Sequence, residues 1–278
     1  MPAKAVDAPR TNLGPIWLVQ KAQSEELYSN GLRVETGLTT TYHPRSYLLY
    51  TGNASERAEA PAGIVFHSTE SELVPFEAEQ NPALQRLGKS LLEFVRARHS
   101  YHYVVDRFGR VYRIVADDDS ADHAGNSVWS WDGHLCLNLN HAFFGVAFEG
   151  RTDEPLSTAQ LNSGKVLVEM LCARYRIPSE NCVTHAQVSV NPGNLRVGWH
   201  TDWARNFPFH SLGLPDNYQQ PVTAVAEFGF GFDPAYLDAA GEGLWIGLHR
   251  AEALLRMRSA SRWQLQHRYA LLKRKESS

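Results

Sequence analysis

Two short runs of uninterrupted apolar residues constrain this chain more than anything else in it. Ile64, Val65 and Phe66 follow Gly63, and Phe143 to Glu149 (FFGVAFE) repeats the pattern with one glycine, Gly145, inside it. Runs this short that do not alternate with polar residues are expected for buried strands. The first delivers His67 at its end and the second Glu149. Helical patterns lie between and after them. Asn81 and Pro82 read as an N-cap and first helical position, with Leu84, Leu87, Leu91, Phe94 and Val95 on an inward face that ends near His99. Ser157 and Gln160 form a capping box before Leu161, Val168, Leu171, Cys172 and Tyr175, closed by Pro178. Strands alternating with helices predict an α/β domain over residues 61–212: a single domain with a central mixed β-sheet flanked by helices. Residues 1–60 then form an N-terminal extension, and 213–278 a C-terminal extension with a helical tail.

Tyr101 to Val115 (YHYVVDRFGRVYRIV) alternates aromatic and β-branched residues around Gly109, the pattern of a hairpin. Asp117, Asp118 and Asp119 lack the glycine and distal glutamate of a calcium loop and read as a solvated acidic turn. His123 to Asn140 reads as a loop whose Trp129 and Trp131 either offer flat faces to a ligand or anchor the loop on the core. From Leu244 to Lys275 the chain is basic and helical, with Leu265, Tyr269 and Leu272 on one face, suited to docking on its own domain or on an anionic surface. A net charge of -3 over 278 residues carries no signature of nucleic-acid binding. No apolar run has transmembrane length, and MPAKAVDAPRTNLGPIW lacks a signal-peptide core, so a soluble protein is expected, cytoplasmic as synthesised or released to the cell wall by a non-Sec route. Three cysteines at unrelated spacings give neither a disulfide framework nor a thiolate zinc cluster. The sequence does not set the oligomeric state.

Chemistry concentrates in Val183 to Trp203 (VTHAQVSVNPGNLRVGWHTDW). His185 follows a β-branched pair, and Asn191, Pro192, Gly193 and Asn194 form a strong turn signal, so the chain doubles back and returns His200 or Asp202 towards His185. Imidazole and carboxylate are zinc ligand types outside all-thiolate sites. The same residues also occur in ordinary polar loops, and spacing alone does not choose.

The order of the motifs does choose. GIVFHSTE, SYHYVVDRFGRVYRIV, HAGNS, NHAFFGVAFEG and THAQVSVNPG with HTDWARNFPF together resemble the zinc amidase family that includes type 2 N-acetylmuramoyl-L-alanine amidases, phage amidase lysozymes and peptidoglycan recognition proteins. The resemblance implies an amidase and peptidoglycan recognition protein-like fold, Zn2+ held by His67, His185 and Asp202, and a fourth position for a water nucleophile. It implies hydrolysis of the amide between N-acetylmuramic acid and L-alanine in peptidoglycan or muropeptides. The alternative is a weak or inactive peptidoglycan-binding module; retention of Asp202 favours turnover.

Three positions depart from, or add to, the family pattern. Where relatives usually carry a lysine two residues before the third ligand, this chain has His200, which as a histidinium would stabilise an oxyanion only while protonated and so implies a lower pH optimum. Some relatives place a catalytic glutamate where Ala147 stands; Glu149 lies on the same strand face and is a substitute to be tested. Other relatives use a tyrosine matching Tyr101, the first choice for orienting water or intermediate. The resemblance places His123 in the site wall, where it would orient the metal ligands or the substrate from behind, with Asn126 and Trp129 as further substrate contacts.

Overall fold

The computed structural model describes residues 14–52, 54–152 and 154–276. The start of the chain, where the absence of an export signal was read, lies outside the described residues up to residue 13.

An eight-stranded mixed sheet organises the molecule. Its strands are β1 (Leu18–Lys21), β2 (Glu25–Tyr28), β3 (Arg33–Glu35), β4 (Gly63–Ser68), β5 (Tyr103–Val105), β6 (Val111–Arg113), β7 (Phe143–Phe148) and β8 (Cys182–Thr184), in the spatial order β1-β2-β3-β6-β5-β7-β4-β8. The two apolar runs are neighbours at its centre. β7 and β4 pair in parallel with Ala147 opposite His67, and every residue of both is buried. Parallel strands buried on both faces need no polar alternation, which is why these runs are continuous. β5 and β6 form the expected hairpin across Gly109.

The helices that cover the sheet are α1 (Asn81–Ala97) and α2 (Thr158–Tyr175). The capping box of α2 forms as read, Gln160 N–H donating to Ser157 Oγ at 3.1 Å and Ser157 N–H to Gln160 Oε1 at 3.0 Å. In α1 the reading needs correction. Asn81 is the first helical residue rather than the cap, because a 3-10 turn at Ala78–Gln80 starts the coil earlier. Phe94 faces solvent under the Arg98 guanidinium, and Val95 alone in α1 is buried. The leucines of α1 line a groove above the sheet with Leu38, Val74 and Tyr112.

Two other local readings change. Asp117 and Asp119 are buried, not solvated: Tyr103 and Tyr175 hydroxyls donate to Asp117 at 2.5 and 2.8 Å, and Tyr42 N–H donates to Asp119. A carboxylate with several donors tolerates burial. The loop read at His123 to Asn140 holds a hairpin, Val128–Trp131 with His134–Leu137, turned by Asp132-Gly133 with both φ angles positive. Asp-Gly is the usual solution where both turn residues must be left-handed. This hairpin pairs with Tyr47–Thr51, which with Ala54–Ala58 completes a second, four-stranded sheet.

The described residues on either side of the 61–212 span are built into the same body. β1 to β3 extend the main sheet, and four more helices follow residue 213: α4 (Thr223–Phe228), α5 (Pro234–Ala239), α6 (Glu242–Arg256) and α7 (Arg262–Glu276), after the single-turn α3 (His185–Val188). Phe228, Phe230, Tyr236, Leu248, Tyr269 and Leu272 belong to the same hydrophobic core as Phe66 and Phe148. The basic tail is therefore docked on the protein through Leu265, Tyr269 and Leu272, and it is two helices rather than one. Glu227 neutralises part of its charge by pairing with Arg258 and Arg268. No helix among the described residues is long and apolar enough to cross a membrane.

Candidate metal centre

Three segments converge at the carboxyl end of the central strands. β4 places His67 at the sheet's edge of the core, only 1% exposed. β8 ends at Thr184, and His185 opens α3, whose first turn is tied by Thr184 N–H donating to Gln187 Oε1 at 2.9 Å. Beyond it the chain doubles back as the turn signal predicts: Val190 pairs with Val197 and Asn191 with Arg196, while Asn191 Oδ1 accepts from Gly193 N–H. The returning strand is pinned by His200 N–H to Ser189 Oγ at 2.9 Å and Ala186 N–H to the Asp202 carbonyl at 3.3 Å. Asp202 is thereby brought against both histidines.

One ligand atom from each of His67, His185 and Asp202 lies within 4.8 Å of the others. Asp202 Oδ2 is 3.2 Å from His67 Nδ1 and 3.3 Å from His185 Nδ1, and Oδ1 is 3.0 Å from His185 Nδ1. A tetrahedral zinc with ligand bonds of about 2.0–2.1 Å spaces its donors about 3.3 Å apart, the separation found between Asp202 and each histidine.

The hydrogen-bond chain behind His67 decides which nitrogen it presents. The Phe143 carbonyl, which can only accept, lies 3.2 Å from His123 Nε2, so that nitrogen carries the proton. His123 Nδ1 is then an acceptor, and His67 Nε2 donates to it at 3.1 Å. His67 Nδ1 is left bare, facing a carboxylate oxygen. Two acceptors in a buried site repel unless a cation stands between them, and this donor set fits a divalent metal of the zinc class.

Electrostatics agree with a site built for charge. Burial, then the charge of His185, lowers the pKa of His67 to about 4. Burial pushes His123 well below its ordinary value, followed by His67 and His102. Burial alone would raise Asp202, but His185 and His67 outweigh it and keep the carboxyl well below the usual range. Tyr101 is pushed upward by burial and then by Asp202 and Glu70, so its hydroxyl stays protonated.

The cleft over the cluster brings together most of the residues read from the sequence. Tyr101, His123 and His200 line it with the three donors. Tyr101 sits at φ 64°, a left-handed conformation that costs a non-glycine residue about 1 kcal/mol or more, and its ring lies 5.0 Å from that of His67. His200 stacks on His185, with centroids 4.4 Å apart and planes 17° apart. Burial, then the charge of His185, lowers the His200 pKa, which works against the expected histidinium.

Three expected residues lie elsewhere. Glu149 projects into the groove under α1, where Oε2 accepts from Arg107 N–H at 3.0 Å, because the strand end carries it past the cluster. Trp129 is 1% exposed and donates to Asn181 Oδ1, so it anchors its hairpin rather than offering a face. Asn126 is held by Lys273 of α7 at 3.0 Å. In their place the cleft contains Glu70, Thr152 and Trp199. Glu70 Oε1 accepts from Ser68 Oγ at 2.5 Å and Thr152 Oγ1 at 2.7 Å. Trp199 is 52% exposed at the mouth. Its position beside His200 in the Val183 to Trp203 stretch was the signal for it, and Glu70 closes the GIVFHSTE motif; nothing in the sequence marked Thr152.

Comparison with known proteins follows the same span. A profile of the family described as N-acetylmuramoyl-L-alanine amidase matches residues 57–203. The chain is similar to the 1,6-anhydro-N-acetylmuramyl-L-alanine amidase AmpD of Haemophilus influenzae, at 29% identity over 114 residues, 41% of this chain. That match spans 59% of the relative's length. Among solved structures it is similar to AmpDh3 of Pseudomonas aeruginosa in complex with an anhydromuramic pentapeptide, at 22% identity and a TM-score of 0.42, covering 68% of each chain. It is also similar to AmiD of E. coli in complex with anhydro-N-acetylmuramic acid-L-Ala-D-gamma-Glu-L-Lys, at 17% identity and a TM-score of 0.40, covering 77% of this chain and 99% of that one. With the family profile matched across every residue of the cluster, this chain belongs to the N-acetylmuramoyl-L-alanine amidase family.

Proposed function

We propose that this protein is a zinc-dependent amidase that hydrolyses the bond between N-acetylmuramic acid and L-alanine in peptidoglycan or in muropeptides derived from it. The observation that carries the reading is the bare Nδ1 of His67 facing the Asp202 carboxylate with His185 alongside. Family membership and the activity in the name of the Haemophilus relative support it. His67, His185 and Asp202 would hold the metal, which when bound acts as a Lewis acid and lowers the pKa of water.

The chain's own residues supply the rest. Tyr101, protonated and aimed into the cleft, donates a hydrogen bond to the scissile carbonyl oxygen as negative charge develops there. His200 contributes a second N–H beside His185. His123 stays behind His67 and orients it. Trp199 presents an aromatic face at the mouth, suited to the apolar face of a sugar ring.

Incubation of the purified protein with muropeptides, read by mass spectrometry, tests the proposal. Free stem peptide should appear with zinc and vanish with a chelator or with Asp202→Ala. Zinc binding without product would leave the peptidoglycan-binding reading in its place.

A further inference from the structure

The chain of bonds that fixes His67 continues past His123 into a segment outside the family span. His123 Nε2 donates to the carbonyl of Phe143, the first residue of β7. That strand start is gripped by Arg45, which is 3% exposed and lies before the matched residues 57–203. One Arg45 nitrogen donates to the carbonyl of His141 at 3.0 Å and reaches that of Phe143 at 3.5 Å. The other donates to the carbonyls of Asp117 and Asp119 at 3.2 and 2.9 Å. A guanidinium is suited to this role because its rigid fork satisfies several acceptors at fixed angles. His123 is held from the remaining sides as well. Asn140 Oδ1 accepts from His123 N–H at 2.8 Å, and Gly145 lies flat beneath the ring, where a Cβ would come within 2.6 Å of it.

We propose that His123 is a positioning residue that locks His67 with its proton on Nε2 and its Nδ1 presented to the metal, and that Arg45 anchors the carbonyl on which this lock depends. The N-terminal segment is then part of the catalytic unit. The proposal rests on the zinc reading above.

Three substitutions separate a tautomer lock from simple packing. In His123→Asn the amide oxygen takes the place of Nδ1 and still accepts from His67. In His123→Gln the amide reaches the place of Nε2, keeping the Phe143 bond and losing the acceptor for His67. His123→Leu loses both. Zinc affinity, measured by competition with a chromophoric chelator, should stay within about threefold of wild type for His123→Asn and weaken about 10- to 100-fold for the other two. Arg45→Met should weaken zinc about tenfold. If that variant does not fold, the Asn and Gln pair decides the question without it. Nitrogen-15 spectra of the zinc-loaded wild type should show a slowly exchanging proton on His67 Nε2. Equal zinc binding by wild type and His123→Gln, or zinc on Nε2 of His67, overturns the lock alone. Failure of the wild type to bind zinc overturns the proposed function and the lock with it.

Discussion

Gly145→Ala is the sharpest probe of how the sheet supports the site. A Cβ at this position would lie 2.6 Å from His123 Cγ, 2.9 Å from Cδ2 and 3.0 Å from Cβ. Carbon atoms pack at about 3.5–4.0 Å, so the ring must withdraw by about 1 Å. His123 makes its two ring bonds at 3.1 Å to His67 and 3.2 Å to Phe143. A shift of that size lengthens and misaligns both, which forfeits most of each bond. Overpacking costs about 1–3 kcal/mol and each lost buried bond about 1 kcal/mol, which gives roughly 3–5 kcal/mol of destabilisation. In urea denaturation of the zinc-free protein, with a slope of about 3 kcal/mol per molar, the midpoint should fall by about 1 M or more. Zinc affinity should fall with it. Gly88→Ala is the control: it lies inside α1 with open space around it, and should be neutral or stabilising by up to about 1 kcal/mol. An unchanged midpoint and zinc affinity in Gly145→Ala would refute the close approach of strand and ring on which the site geometry depends.

The other expectations concern residues the fold has moved away from the site or tied to it. Glu149→Gln should leave muropeptide turnover within about twofold of wild type, since the side chain serves Arg107 N–H in the groove under α1; a loss of about 100-fold would place it in the chemistry. Tyr269→Ala should cost about 3 kcal/mol in denaturant unfolding, because its ring packs on Phe228 and Phe230 at 5.2 and 4.9 Å; unchanged stability would show α7 to be a detachable tail. Burial raises the pKa of Glu276 to about 7 from 4.5, against the lowering effect of its bond from Tyr50. Since the folded value is the higher one, the stability this group adds is complete below pH 4.5 and is lost as pH rises through about 7. Urea midpoints across that range should therefore decline in wild type more steeply than in Glu276→Gln.

Much of the centre of this protein was legible because its signals are local. The runs at Gly63 and Phe143 are short and rich in β-branched and aromatic residues as buried strands are, the Ser157–Gln160 box is a self-contained cap, and Asn191 to Asn194 is a local turn signal. These elements carry His67, His185 and Asp202, and motif order supplied their pairing. Failures came where a residue's surroundings are distant in sequence. The acidic run at Asp117 reads as solvated until Tyr103 and Tyr175 are folded against it. Trp129 reads as a ligand face until Asn181 closes over its ring nitrogen. Glu149 shares a strand face with Ala147, yet a strand advances about 3.3 Å per residue, and two residues carry the carboxylate out of the cleft.

The sequence by itself determined the two central strands, the capping box of α2 and the returning loop, all set by side-chain periodicity and short-range backbone preference, while the three candidate donors came from the order of the motifs. Tertiary structure alone decided that Arg45 grips the strand start behind His123, that His67 turns Nε2 to His123 and leaves Nδ1 free, and that His200 stacks on His185. Those outcomes depend on burial and on hydrogen bonds across 56 to 98 positions of chain, and such contacts exist only once the core has closed.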